Sequence, residues 1–183
     1  MIDRLERSAS GKKVAVTYTY FGYKEQKNQK VGRIAASLLK QLLCRLDEIP
    51  KEIFNIYRDW IISCSRPPTE LLVEMFIKVS QWFSETYVIF DALDEYGDEI
   101  ERKKFLGFVQ VLQKHGFKIF LTSRDHLREE LENSLNDIFV CPIVPEENVV
   151  RSFLAKRLAE KEMPDSVRDA TISRLLETAK SGM

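Results

Sequence analysis

A chain of 183 residues, 44% of them hydrophobic, is long enough to bury one core with a small appendage beside it. Its 28 basic and 28 acidic residues cancel, which excludes a global electrostatic pull toward nucleic acid or an anionic membrane and leaves partners to be read from local sites. Cys44, Cys64 and Cys141 are too widely and irregularly spaced for a disulfide framework or a zinc cluster, and are expected to be reduced, partly buried thiols.

No window approaches the roughly 18 uninterrupted apolar residues of a membrane helix, and no apolar signal segment opens the chain. The expected location is the cytosol. The chain opens with IDRLERSAS, which reads as the end of a helix, and KVAVTYTYF, which reads as a strand. Between them, Gly11-Lys12 invites comparison with the phosphate loop G-x-x-x-x-G-K-[ST], which needs a strand before it and a helix after it. Here Glu6 stands where the first glycine belongs and Lys13 where the hydroxyl belongs, and the order of elements is reversed. The pair reads as a helix-to-strand turn.

From Val31, apolar residues at Ile34, Ala35, Leu38, Leu39, Leu42, Leu43 and Leu46 follow the spacing of an amphipathic helix, with Asn28 as its expected cap and Pro50 as a break after it. Arg66-Pro67-Pro68 punctuates the chain. A second helix is then expected to carry Leu71, Leu72, Met75, Phe76, Val79, Trp82 and Phe83 on one face. Tyr87 to Phe90 is a short β-rich run without alternation, as in a strand buried on both faces of a parallel sheet, and Phe117 to Leu121 and Ile138 to Val140 are similar. Helical spacing separates these runs, first through Phe105, Phe108, Val109 and Leu112, then through Leu127, Leu131 and Leu135.

Strands and helices therefore alternate, which predicts an α/β fold with a parallel sheet wrapped by helices. After Pro145 the pattern is helical, with Val150, Phe153, Leu154 and Leu158 in one segment and Val167, Ala170, Leu175, Leu176 and Ala179 in another, broken at Pro164. The expected domains are residues 1–145, an α/β unit, and residues 146–183, the start of a helical lid.

Chemistry is expected where strands end, because ligands of open parallel sheets bind beyond the carboxyl ends of the strands. In YVIFDALDEYGDE, Asp91 closes the most hydrophobic strand, where a carboxylate can hold a magnesium ion directly or through water. Asp94 and Glu95 lie one short turn further, within reach of a water to be activated. The competing reading makes Asp94, Glu95, Asp98 and Glu99 solvated acids before a helix, where the dipole favours them. In IFLTSRD, Thr122 or Ser123 is a candidate to orient water or phosphate and Arg124 to neutralise a terminal phosphate. Its competitor is ordinary helix initiation, with Ser123 or Asp125 as N-cap. His115 and His126 have no ligand-spaced partner. The alternation of Tyr18, Tyr20, Phe21 and Tyr23 is that of a sheet strand, and no basic patch accompanies it for nucleic acid.

A hydrophobic strand ending D-A-L-D-E, followed about 25 residues later by one ending T-S-R, resembles the Walker B and sensor 1 motifs of NACHT domains, within the signal-transducing P-loop (STAND) ATPases. The pattern is most similar to the nephrocystin 3-like N-terminal type common in fungal proteins, often joined to ankyrin or other repeats. Its strand like VAVTYTYF, loop like FGYKEQKNQ, helix like VGRIAASLLKQLL and Pro-Pro linker extend the likeness from about Ile2 to Met183.

The resemblance implies a three-layer P-loop NTPase-like sheet followed by a helical domain, with Mg-ATP or Mg-GTP bound in intact relatives. It implies that Asp91 holds magnesium, that Asp94 and Glu95 form the catalytic, water-activating pair, and that Arg124, with Thr122 and Ser123 beside it, senses the γ-phosphate. Asp125 departs from the proline usual after that arginine. The family's phosphate loop has no counterpart here, so the first strand and loop are expected to be missing, nucleotide binding to be weak or nil, and sheet edges to be left unpaired between the strand ending Thr122 and Ile138 to Val140.

The leading expectation is thus an incomplete nucleotide-binding signalling module with little ATP hydrolysis alone, acting through protein partners or self-association. The alternative is a non-catalytic interaction scaffold that keeps the α/β fold. A phosphoacceptor receiver domain ranks last, because IFVCPI offers no lysine closing the following strand.

Overall fold

The computed structural model describes residues 13–62, 67–143, 146–160 and 164–181. The expected N-terminal helix end, the Gly11-Lys12 turn, Cys64, Arg66 and Pro145 lie outside the described residues.

Three strands, β1 (Val14–Tyr20), β2 (Glu85–Asp91) and β3 (Lys118–Leu121), form a parallel sheet in the order β1-β2-β3. The middle strand is the one whose sequence lacks alternation. Val88, Ile89 and Phe90 are all buried, so both faces of β2 are shielded and apolar residues are favoured at successive positions. Register places Tyr20 opposite Asp91 and Phe90 opposite Leu121, which brings the three carboxyl ends level at one edge of the sheet.

The connection from β1 to β2 carries α1 (Val31–Leu43), α2 (Lys51–Ile62) and α3 (Thr69–Ser80), and that from β2 to β3 carries α4 (Glu99–Lys114). Leu38 and Leu42 of α1, Phe76 and Val79 of α3, and Phe105, Val109 and Leu112 of α4 pack with Ala15, Val88 and Phe90 of the sheet into one core. Each such burial contributes about 1.5–3 kcal/mol, which is why the helical stripes read so clearly in the sequence. The fold is α/β, as the alternation predicts.

Toward the carboxyl ends of the strands the core is aromatic. Phe105 meets Phe90 edge-on at 4.9 Å and Phe21 at 5.2 Å, and Tyr96 lies 4.8 Å from Phe21. Phe21 directly follows β1 and Tyr96 follows the turn after β2, so this cluster fixes the loops of the strand-end edge from within.

Among the described residues, the outer edge of β1 is closed by side chains rather than by a strand. The Gln41 amide of α1 accepts the Tyr18 N–H through Oε1 and donates to the Tyr18 carbonyl through Nε2, both at 2.9 Å. Gln29 repeats the device two residues on, donating to the Tyr20 carbonyl at 3.2 Å. Backbone groups that would otherwise template an edge pairing are thereby satisfied.

Several expectations need correction. Ile138 to Val140 is not a strand: it makes no ladder, and Phe139 is 92% exposed. Asp137 enters the segment at a φ of +50° and Pro142 lacks the N–H that a ladder needs. The N-cap position of α1 falls on Lys30, not on the expected Asn28, and Lys30 makes no side-chain cap bond. Pro50 begins a helix rather than only ending one, since its carbonyl accepts the Phe54 N–H at 3.0 Å. The helix α2 it introduces is not legible in the sequence, because Phe54 and Tyr57 face solvent and blur its stripe.

Trp82 and Phe83 fall beyond α3, which stops at Ser80, and Trp82 is exposed. Neither Ser123 nor Asp125 caps a helix: a 3-10 turn at Asp125–Leu127 leads into α5 (Arg128–Ser134), with no side-chain cap on either. Cys44 and Cys141 are free but exposed, not partly buried, since Cys44 ends α1 away from its apolar stripe and Cys141 lies in the open segment after Ile138.

The chain divides into two compact units, Met1–Ile138 and Phe139–Met183. The second holds α6 (Glu147–Ala159) and α7 (Asp165–Ser181), which pack on each other and bury Ile172 and Leu176, while Val149, Phe153, Val167 and Leu175 are exposed. No helix among the described residues is long and apolar enough to cross a membrane.

Candidate functional site

At the carboxyl ends of β2 and β3 a run of polar residues meets across the two strands. Asp91 is the last residue of β2, and Thr122 is the first after β3. The Thr122 hydroxyl donates to Asp91 Oδ1 and accepts the Ala92 N–H at 2.9 Å. Two backbone bonds extend the ladder: Thr122 N–H to the Phe90 carbonyl and Leu93 N–H to the Thr122 carbonyl, each 2.9 Å. Ala92 bridges the strand and the next turn at a φ of +60°, a left-handed conformation that costs a non-glycine residue about 1–2 kcal/mol. The bonds to Thr122 offset that strain.

Beyond Ala92 the 3-10 turn Leu93–Glu95 is anchored by fully buried Leu93 and presents two acids. Asp94 receives Arg124 twice, its Oδ2 lying 3.0 Å from the guanidinium Nε and its Oδ1 accepting the Arg124 backbone N–H at 3.3 Å. The Asp94 side chain is only 10% exposed while that of Arg124 is 77% exposed, so the pair has a protein side and a solvent side. Glu95 Oε2 accepts the Tyr23 N–H at 3.0 Å, which ties the loop after β1 to the same edge. Ser123 is apart from these pairs, with its hydroxyl directed to the Arg124 carbonyl at 3.2 Å.

Asp91 with Thr122, and Asp94 with Arg124, are thus two separate pairs on one edge, and among the described residues no hydrogen bond or ion pair joins Asp91 to Arg124. The Tyr23 amide and the left-handed Ala92 were not visible as site features in the sequence, because one acts through its backbone and the other through its conformation. The acids further on are structural: Asp98 caps α4 by accepting the Glu101 N–H at 2.9 Å, and Glu99 pairs with Lys103 at 2.6 Å. Hydrogen bonding from Lys103 holds the Glu99 carboxyl below its ordinary value. Beneath them, burial raises the Tyr96 phenol to about 12, with Glu101 and Asp98 adding to the shift.

Among the described residues no group of three or more His, Cys, Asp or Glu gathers as a metal cage. Magnesium does not require one, since it is commonly held by one or two carboxylates with water and phosphate oxygens completing the shell. Asp91, with one oxygen engaged by Thr122, fits that mode. A groove of about 450 Å³ lies elsewhere, lined by Val31 of α1, Val73 and Ile77 of α3, and Phe108 and Val111 of α4, and none of the strand-end residues reaches it. The site lies along the carboxyl-end edge of the sheet.

A parallel sheet flanked by helices, with a polar cluster where its strands end, defines an open α/β domain. The particular family follows from the sequence: the chain belongs to the nephrocystin 3 N-terminal family, whose profile matches residues 1–124 and so takes in every strand-end residue from Asp91 to Arg124. A solved structure, the Walker-type ATPase PABY2304 of Pyrococcus abyssi, is similar with a TM-score of 0.39 at 12% identity, over 93% of this chain and 61% of that one. The chain therefore spans about three-fifths of that ATPase's length. Comparison with curated proteins gave no match.

Proposed function

We propose that the chain is a NACHT-type nucleotide-binding module, a signalling switch of the cytosol that takes Mg-ATP or Mg-GTP at most weakly at the strand-end edge and responds through protein partners or self-association. The observation that carries this reading is the convergence of Asp91, Thr122, Asp94 and Arg124 at the carboxyl ends of two adjacent parallel strands. Asp91 would hold magnesium, which when bound neutralises phosphate charge. Arg124, mostly solvent-exposed, would turn from Asp94 toward a terminal phosphate, and Asp94 Oδ2 would then be available to orient water, with Glu95 beside it still tied to the Tyr23 amide.

The sequence carries no G-x-x-x-x-G-K-[ST], and that cradle supplies most of the binding energy for a triphosphate, so hydrolysis by the chain alone should be slow or nil. Calorimetric titration with Mg-ATP and with Mg-GTP tests the reading. A binding heat that Asp91→Ala abolishes supports it.

A second reading has its own observation. Asp94 and Glu95 are both engaged by protein donors, Arg124 and the Tyr23 amide, as acids with a purely structural duty would be. On that reading the chain is a non-catalytic scaffold, and titration with either nucleotide is silent.

A further inference from the structure

The Thr122 hydroxyl has one proton, and it is given to Asp91 Oδ1. It is therefore not available to a phosphate oxygen. The same oxygen accepts the Ala92 N–H at 2.9 Å, and the Thr122 backbone holds Phe90 on one side and Leu93 on the other at 2.9 Å each. Four bonds from one residue thus span Phe90 to Leu93, the stretch in which β2 ends, Asp91 projects and Ala92 turns left-handed. No other side chain among the described residues bonds to the Asp91 carboxylate.

We propose that Thr122 is a positioning residue for Asp91: its hydroxyl fixes Oδ1 and the left-handed turn at Ala92, leaving Oδ2 for a divalent cation or its water. This rests on the reading of Asp91 as the magnesium-binding carboxylate, and it moves Thr122 from a nucleotide contact to the residue that aims the contact. Two consequences are built in. A carboxylate held by one oxygen loses the rotation that would otherwise be frozen when a cation binds. A turn strained at Ala92 keeps its shape only while the bond that offsets the strain persists.

The test uses the full chain and the variants Thr122→Val, Thr122→Ala and Thr122→Ser, each first shown to be folded by its amide spectrum. Hydrogen exchange needs no ligand. Thr122→Val should speed exchange of the Ala92 amide at least tenfold while the Leu93 amide, bonded to the Thr122 carbonyl, changes less, and Thr122→Ser should restore the slow rate. Thr122→Ala serves if the valine variant does not fold. In titrations with Mg-ATP, Val or Ala should weaken binding by about 10- to 100-fold, the usual effect of removing a residue that orients a metal ligand, and Ser should recover it.

Ala92 exchange that is unchanged without the hydroxyl overturns the clamp. Wild-type affinity in Thr122→Val overturns its role toward the cation. A wild-type chain that binds no Mg-ATP overturns the functional reading and the metal-directed half of this inference with it, while exchange at Ala92 still decides whether Thr122 sets the turn.

Discussion

Asp94 holds Arg124 by both its guanidinium and its backbone, at 3.0 and 3.3 Å, so that the acid before α4 and the base after β3 close one corner of the sheet edge. Because the arginine is largely exposed, water and salt screen the side-chain pair, and its net worth is below about 1 kcal/mol. Arg124→Ala should therefore cost little stability. Asp94→Ala should cost more, about 1–2 kcal/mol, since it also strips the Arg124 N–H of its acceptor. A denaturant double-mutant cycle at low and high salt measures both, and equal costs for the two single variants would contradict this account of the pair.

The edge of β1 gives a second expectation. Gln41→Leu keeps the bulk of the side chain but leaves the Tyr18 N–H and carbonyl without their partner. A loss of about 1–3 kcal/mol is expected in urea denaturation, accompanied by a tendency to self-associate through the uncovered edge. Sedimentation velocity reads the second effect, and a variant that stays both stable and unchanged in size would show that Gln41 is dispensable there.

Phe105 touches Phe90, Phe21 and Tyr96 together, so it supports the strand ends from below. Phe105→Ala should destabilise by about 3–5 kcal/mol, and Phe105→Leu by less. The amide shifts of Phe21 and Tyr96 should move in the leucine variant even though the fold persists. Shifts confined to α4 would mean that the aromatic cluster does not transmit to the loops.

Tyr96 predicts a pH dependence. Its phenol is raised from 10.0 to about 12 in the fold, so the unfolded chain loses this proton first as pH climbs. The contribution is fully present below the unfolded value near 10.0 and disappears as pH rises through about 12. Tyr96→Phe should flatten that part of the stability curve. At neutral pH the change should be neutral or slightly stabilising, because the hydroxyl is buried with no hydrogen-bond partner among the described residues. Stability measured from pH 8 to 12 in both proteins decides it, and parallel alkaline limbs would rule out Tyr96 as their source.

How far the sequence could be read differs by element. The stripes of α1 and α4 and the unbroken apolar run of β2 were legible because burial on one face or on two leaves a period in the residues themselves. Ile138 to Val140 shows the limit. Its residues have strand propensity, yet a strand exists only where a neighbour supplies the ladder, and Phe139 is left to solvent. The helix α2 was hidden for the opposite reason, since its apolar residues are divided between core and surface.

At the site, the sequence by itself determined which residues carry charge at the strand ends, Asp91, Asp94, Glu95 and Arg124, because a buried strand must finish in polar residues and the spacing of the strands fixes where. Only the tertiary structure decided how they pair. Parallel register sets Thr122 beside Asp91, and the left-handed turn at Ala92 carries Asp94 past it to Arg124. Hydrogen bonds reach about 3 Å, so partners some 30 residues apart are chosen by strand register and one backbone dihedral, neither of which the local sequence spells out.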